Sequence, residues 1–447
     1  MDQSTKDLKD YLDASPTMFH AVDNLAESLK ARGAIELNEK DSWKLEPGAA
    51  YFVVRGSSSL VAFRPGLAPL GEAGYVMAGA HTDSPGLKVR HAKPNESRGV
   101  IRVSVEAYGS PILSGWMDRP LSLAGRVAVK TKAGILHRLY TSAKPIGVIP
   151  NLAIHLNRDI NKGIEYSIHQ HMPILVEVAS NERLQEQKNF PWTILRVAED
   201  LEIEPESILA TELFLFEPQK AISFGETGSR KSASATADSL ELVNSARLDD
   251  LAGCHAILTS FLSALPAEHA QMACFLDAEE IGSTTAQGAN SSFVRDILAR
   301  MSIALKSDAQ DFYRAAPRSV YLSLDVSQAW HPGYPEKFDE FYSPILGKGP
   351  ALKVNAQRNY ATDLESEAIF SSVCAGASIP WQTYFARADI PPGRTIGPMN
   401  SAHLGVLTLD IGHPLLSMHA IRETVCGKDH AGMIKVVGEF FEKNPKN

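Results

Sequence analysis

Hydrophobic positions change their spacing as the chain proceeds. In the first ~35 residues, Leu8, Tyr11 and Leu12, then Phe19, Val22, Leu25 and Leu29, fall at helical intervals and predict helices. Short strand-like runs follow at Ala50–Val54, Ser59–Phe63 and Tyr75–Ala80. The last has no polar residue before His81, which predicts a strand covered on both faces, as at the centre of an α/β sheet. From about Lys93 the pattern turns to alternation. Ile101–Tyr108, Arg126–Lys130 and Ile135–Tyr140 alternate apolar with polar residues between Gly and Pro breaks, which predicts an antiparallel β-rich unit. This unit takes in PNLAIHLNRDINKG and HQHMPILVEVAS, and closes at Ser223–Ser239, whose Gly, Ser, Ala and Thr content predicts a mobile connection.

Beyond Leu240 the mixed texture resumes. Helices are expected over Asp250–Leu265, Phe293–Ser307, Leu364–Ala377 and from Ser417 onward, with strands at Met272–Leu276, Val320–Leu324, Trp381–Phe385 and Leu404–Asp410. The simplest architecture is one α/β domain made of residues 1–91 and 237–447, interrupted by an inserted β-rich domain at 92–236.

Composition narrows the classes. A chain of 447 residues exceeds one ordinary core, and 44% hydrophobic with 21% charged residues is a globular balance rather than a disordered one. The net charge of −8, without a long basic run, argues against nucleic acid and anionic membrane as partners. The opening MDQSTKDLKDYLDAS lacks an apolar signal region, and no stretch approaches the ~18 apolar residues of a membrane helix. Cys254, Cys274, Cys374 and Cys426 form no CxxC pair, so neither a disulfide framework nor a thiolate zinc site is expected, and a reduced, cytoplasmic setting fits.

The candidate chemistry lies where apolar runs end. His81 follows Val76–Ala80, Glu280 follows Met272–Leu276 and Asp325 follows Tyr321–Leu324; open α/β sheets bind ligands at the carboxyl ends of their strands. Asp249 is expected just before a helix and His419 at the start of one. Two imidazoles and three carboxylates suit a pair of zinc ions, with cobalt and manganese tolerating the same ligands. In this assignment Asp249 bridges, His81 and Asp325 complete one metal, and Glu280 and His419 complete the other. Glu279 is then free to move the proton of an attacking water, and Asp83 stands close enough to hydrogen-bond the second ring nitrogen of His81. HxD, EE, a lone Asp after a strand and a lone His are each common structural features; the specificity lies in their combination. The chain lacks HExxH, GxSxG and GxxxxGK[ST].

At these residues the chain resembles the aspartyl aminopeptidase family of dinuclear zinc exopeptidases. The matching stretches include HTDSPGLKV, WMDRPLSLAGRV, LAIHLNRDIN, SARLDDLAG, DAEEIGS, LKVNAQRNYAT, TIGP and MHAIRE, almost end to end. The resemblance implies a mixed central sheet flanked by helices, zinc-exopeptidase-like, with the β-rich insert serving as a dimerisation domain. It implies two divalent metals, most naturally zinc, at His81, Asp249, Glu280, Asp325 and His419, with Glu279 as general base. It also implies a cis Asp249–Asp250 bond and a homo-oligomer assembled from dimers into a tetrahedral dodecamer. His155 would reach a neighbouring subunit's site and contact the substrate carbonyl, and Lys353 would receive an acidic side chain at the free amino end of a peptide. One stretch departs from the family pattern: a small hydroxyl residue is expected after Gly393, where this chain has Arg394, and Pro392 replaces a typical Cys. Arg394 either adds positive charge to the acidic pocket or lines its entrance. A related amide hydrolase, such as a deacylase or carboxypeptidase, and a non-catalytic scaffold remain the alternatives.

Overall fold

The structure, a computed structural model, describes residues 2–90, 95–180, 189–225 and 240–446. The chain divides into two compact units, one running to Asp83 and taking in Ala221–Met418 and the residues from Glu423, the other comprising Ser84–Lys220 with His419–Arg422.

The first unit is built on a nine-stranded sheet. Its strands are β1 (Ile35–Glu36), β2 (Tyr51–Arg55), β3 (Ser59–Arg64), β4 (Tyr75–His81), β5 (Ala270–Leu276), β6 (Val320–Leu324), β7 (Ala351–Lys353), β8 (Gln382–Tyr384) and β9 (Leu407–Gly412). They stand in the order β1-β2-β3-β5-β4-β6-β9-β7-β8. The sheet is mixed: β5, β4, β6 and β9 run parallel to their neighbours in that group, whereas β3 meets β5 and β7 meets β9 antiparallel.

Every residue of β4, β5 and β6 is buried. Alternate side chains serve opposite faces. Val76, Ala78, Ala80 and Phe275 join the core beneath helices α1 (Gln3–Ala14), α2 (Met18–Ala31), α3 (Leu248–Ser263) and α6 (Gly427–Glu442). Tyr75, Met77, Met272 and Tyr321 join the core beneath α4 (Phe293–Ala304), while α5 (Leu364–Gly376) adds Phe370 to the first face. Coverage on both sides is why these runs carry no polar alternation. Parallel register then aligns the strand ends: Leu276 pairs with His81, and Ser323 with Gly79. Residues leaving β5 and β6 therefore emerge beside His81. A second, smaller sheet of this unit orders Ile222–Phe224, Leu242–Ser245, Glu423–Cys426, Pro414–Leu416 and Ser327–Gln328.

The second unit is β-rich. One sheet orders Gly134–Thr141, Ser122–Thr131, Ile208–Phe216, Gly86–Val89 and Val105–Tyr108, and a three-stranded antiparallel sheet joins Ile174–Val178, Val100–Val103 and Asn95–Ser97. Leu87, Trp116, Leu123, Val127, Trp192 and Leu213 are part of its core. Among the described residues, no helix is long and apolar enough to cross a membrane.

Several expectations need correction. The second unit begins at Ser84 rather than 92 because Gly86–Val89 pairs with Val105–Tyr108 and Ile208–Phe216. The segment from Ser417 is not helical. Ser417 and His419 have positive φ (62° and 65°), the turn leads into strand Glu423–Cys426, and the helix starts only at Gly427. Leu404 ends a helix, Gly397–Leu404, and its strand begins at Leu407. Of the connection expected at Ser223–Ser239, Ser223 and Phe224 lie in a paired strand, and 226–239 fall outside the described residues.

Candidate metal centre

Six of the residues singled out from sequence meet within the first unit at the carboxyl edge of β4, β5 and β6. His81 ends β4 and is 1% exposed. Its Nε2 lies 3.1 Å from Asp249 Oδ1 and 3.8 Å from Asp325 Oδ1. Asp249 sits at the entry to α3, where backbone angles are non-helical and the Asp249–Asp250 peptide is cis. Its amide donates to Glu423 Oε2 at 3.0 Å. Glu279 and Glu280 occupy a 3₁₀ turn after β5, between Ala278 (φ 65°) and Gly282 (φ 97°). Donor atoms of His81, Asp249 and Asp325 lie within 4.8 Å of one another, as do those of His81, Glu279 and Glu280.

Asp83 does two jobs, and its expected role needs refinement. Its main-chain carbonyl, not its carboxylate, accepts from His81 Nδ1 at 2.9 Å; the carboxylate oxygen is 3.5 Å away. This bond places the lone pair on Nε2, facing the acids. The Asp83 carboxylate instead accepts the amides of Glu279 (3.1 Å to Oδ1) and Glu280 (3.1 Å to Oδ2). One residue thus sets both the imidazole and the turn that carries the glutamates.

Electrostatics show a cluster with more acid than it can hold ionised. Burial, then Asp325, Asp83 and Asp249, push the Glu279 carboxyl up to about 8 against the pull of His81. Burial and Asp249 push Glu280 well above the usual range. Asp250 is also raised, mainly by burial. Asp325 goes the other way: burial opposes its ionisation, but Lys353 and His81 hold it down at about 2. An imidazole among carboxylates too crowded to ionise together is the donor set a divalent cation satisfies, so the residues present fit zinc.

Lys353, at the end of β7, is 3% exposed, with Nζ 3.3 Å from Asp325 Oδ2 and 5.3 Å from the centre of the Tyr360 ring. Burial alone would lower its pKa; Asp325, Asp410 and Asp249 outweigh it and raise it. Asp410 pairs with Lys353 in register, accepts from Thr395 Oγ1 at 2.6 Å and from the Ala361 amide, and leaves no room for a Cβ at Gly397. The TIGP stretch is therefore a platform for Asp410. Arg394, one residue earlier, is exposed.

The other two candidates belong to the second unit. His155 lies on an exposed 3₁₀ turn, Ile154–Leu156, flanked by exposed Leu152, Ile154 and Leu156. His419 Nδ1 donates to the Ser110 carbonyl at 3.1 Å, which leaves Nε2 without that bond. Sequence reasoning missed Asp410 and Glu423. Both are buried acids, Asp410 inside a strand among apolar neighbours and Glu423 at the start of one, and a buried acid requires a partner.

A metal-ready cluster at the carboxyl edge of a mixed α/β sheet, with a half-buried protonatable glutamate beside it, defines a metal-dependent hydrolase. Comparison with known proteins makes this specific. The sequence profile of the Aminopeptidase I zinc metalloprotease (M18) family matches residues 11–441. Probable M18 family aminopeptidase 2 from Clostridium novyi is 38% identical over 443 residues, covering 97% of this chain and 98% of that protein. Its counterpart from Stutzerimonas stutzeri is 38% identical over 442 residues, covering 98% of each. Among solved structures, the Ape4 and Nbr1 complex matches with a TM-score of 0.90 at 32% identity, over 98% of this chain and 85% of that one. The Saccharomyces cerevisiae mApe1 dodecamer matches with a TM-score of 0.83 at 25% identity, over 99% and 97%. The chain belongs to the M18 family and is a zinc aminopeptidase, which sets aside the deacylase, carboxypeptidase and scaffold alternatives.

Proposed function

We propose that the protein removes an N-terminal aspartate or glutamate from peptides, using two zinc ions and Glu279 as general base. The observation that carries this reading is the convergence of buried His81, Asp249 and Asp325 with half-buried Glu279 and Glu280 at one sheet edge. In it, His81 and Asp325 would hold one ion, Glu280 and His419 would hold the other, and Asp249 would serve both. Zinc bound there supplies Lewis acidity and makes water a nucleophile near neutral pH.

The chain's own residues do the rest. Glu279 takes the proton of the attacking water and delivers it to the leaving amine; a carboxyl pushed to about 8 by its buried setting is able to hold that proton in transit. Asp83 fixes the turn that aims Glu279. Lys353 offers the cation that a buried acidic side chain needs. Arg394, exposed in this chain, lines the approach to that pocket rather than its floor. His155, on its exposed turn, reaches a second copy and stabilises the developing oxyanion there. The β-rich unit, Ser84–Lys220, carries the dimer contacts, and the assembly is a dodecamer; the dodecameric mApe1 structure supports this. The cytoplasm is the proposed location, supported by four cysteines that are all free.

Glu279→Gln tests the mechanism. It should keep zinc and assembly while losing 10²-fold or more of the turnover on a peptide with a free N-terminal Asp, roughly what a general base contributes. Unchanged turnover would remove Glu279 from the role. Faster cleavage of the N-acetylated peptide would overturn the requirement for a free amine.

A further inference from the structure

At the end of β4 opposite His81, the first unit contains a second cavity of about 230 Å³. Tyr75 opens this seven-residue strand and His81 closes it, so the two places lie about 20 Å apart at ~3.3 Å per residue. The walls are apolar, with Leu298 from α4, Phe312 and Val406 among them. The polar lining is sparse: Arg295, His403 and the two phenols Tyr75 and Tyr313. Arg295 is exposed and makes no ion pair among the described residues. His403 Nε2 meets Asn290 Oδ1 at 2.6 Å, so Nε2 carries the hydrogen and Nδ1 keeps a lone pair. Tyr75 is 1% exposed, and its hydroxyl is buried without a hydrogen-bond partner among the described residues. The acid whose field reaches that hydroxyl, Asp311, is paired with Arg314 at 3.0 Å and does not line the cavity.

These features are complementary to one class of ligand. A guanidinium at the rim pairs with a carboxylate, the imidazole accepts an N–H, and the walls take an apolar body. The volume is below the range of about 300–1,000 Å³ usual for drug-sized ligands, so it admits an amino-acid-sized molecule and not a peptide. We propose that this cavity binds small apolar carboxylates, of which free aromatic and branched amino acids are the simplest. Peptidases release molecules of this class, and the cavity holds them away from the metal centre.

Calorimetric titration of the zinc-loaded full chain tests the site, with L-phenylalanine, phenylacetate and phenethylamine as probes. Saturable binding of the first two at micromolar to millimolar concentration is expected, with phenethylamine weaker by roughly tenfold or more because it lacks the carboxylate. Arg295→Ala should weaken L-phenylalanine by roughly tenfold, and Ala402→Trp, at an exposed lining position, should close the mouth and abolish binding. Both variants should keep the peptidase kcat/KM, because both positions are exposed and remote from the metal ligands. Binding that survives both substitutions belongs to the metal centre and overturns the proposal. So does phenethylamine binding as well as L-phenylalanine, or the absence of saturable binding up to millimolar concentrations.

Discussion

Asp83→Asn is the most informative change the centre offers. Asp83 is fully buried, and each of its carboxylate oxygens accepts one main-chain amide, Glu279 at 3.1 Å and Glu280 at 3.1 Å. Asparagine keeps one acceptor and turns an NH₂ toward the other amide. One hydrogen bond to a charged acceptor is lost, and a buried N–H is left facing another donor. Such an unsatisfied group costs about 1–3 kcal/mol, which converts to roughly a tenfold to hundredfold effect. The loss should appear mainly in the turn, because the carboxylate's two amide bonds at 3.1 Å are shorter than its 3.5 Å approach to His81 Nδ1. His81 is a built-in control: its Nδ1 bonds the Asp83 carbonyl, which the substitution preserves. The expected outcome is a fall in kcat of roughly tenfold to hundredfold, with a smaller fall in zinc affinity, read from peptide hydrolysis and from competition with a metal indicator. A variant within about twofold of wild type in both would show that the carboxylate does not hold the glutamates in place. Equal large losses in both would mean that Asp83 acts through His81 after all.

Two further outcomes separate roles that geometry leaves intertwined. Lys353→Ala should lower kcat/KM for N-terminal Asp or Glu peptides far more than for neutral ones; equal losses would show that Lys353 acts only through Asp325, to which it is bound at 3.3 Å. The buried histidine chain His255–His430–His413, linked at 2.9 and 3.1 Å, should make the protein acid-labile. Burial lowers His255 to about 4 and His413 to about 3, and His430 well below its usual value. Below the ordinary histidine value of about 6.5 the unfolded chain binds more protons, so this stability is present above pH 6.5 and is lost as pH falls toward 4. His255 alone accounts for about 3 kcal/mol, and mutual repulsion among the rings makes the total less than a simple sum. His255→Asn can keep a hydrogen bond to His430 without titrating. Its Tm should vary less with pH across that window, and an unchanged pH slope would refute the role.

What was legible in the sequence, and what was not, has a common physical cause. β4, β5 and β6 could be read because strands covered on both faces must be apolar throughout, so a polar residue at their ends stands out. His81, Glu279, Glu280 and Asp325 are those residues, and parallel register brings them together. The segment around His419 misled because Met418 and Ile421 fall at helical spacing, yet positive φ at Ser417 and His419 diverts the chain into a turn and an antiparallel strand. Spacing records which face a residue occupies, not the sign of φ. Asp83 misled in another way. Its place two residues after His81 suggested a side-chain contact, and the carboxylate does lie 3.5 Å from Nδ1, but the carbonyl makes the shorter bond to the ring while the carboxylate also holds the next loop.

Asp410 escaped notice because it sits inside a strand rather than at its end, and Glu423 because it opens a strand instead of closing one. Leu407–Gly412 reads LTLDIG, and an ionisable group in such a run can stay buried only if the fold supplies donors. Here Thr395, the Ala361 amide and the charge of Lys353 supply them, and Gly397 makes the space. The Glu423 carboxylate likewise accepts the amide of Asp249. An acid in an otherwise buried strand is thus as strong a sign of a nearby site as one at a strand end, because neither is stable without specific partners. In this chain the two kinds lie in successive layers: residues at or just past the ends of β4, β5 and β6 line the candidate metal centre, and Asp410 and Glu423 hold residues that surround it.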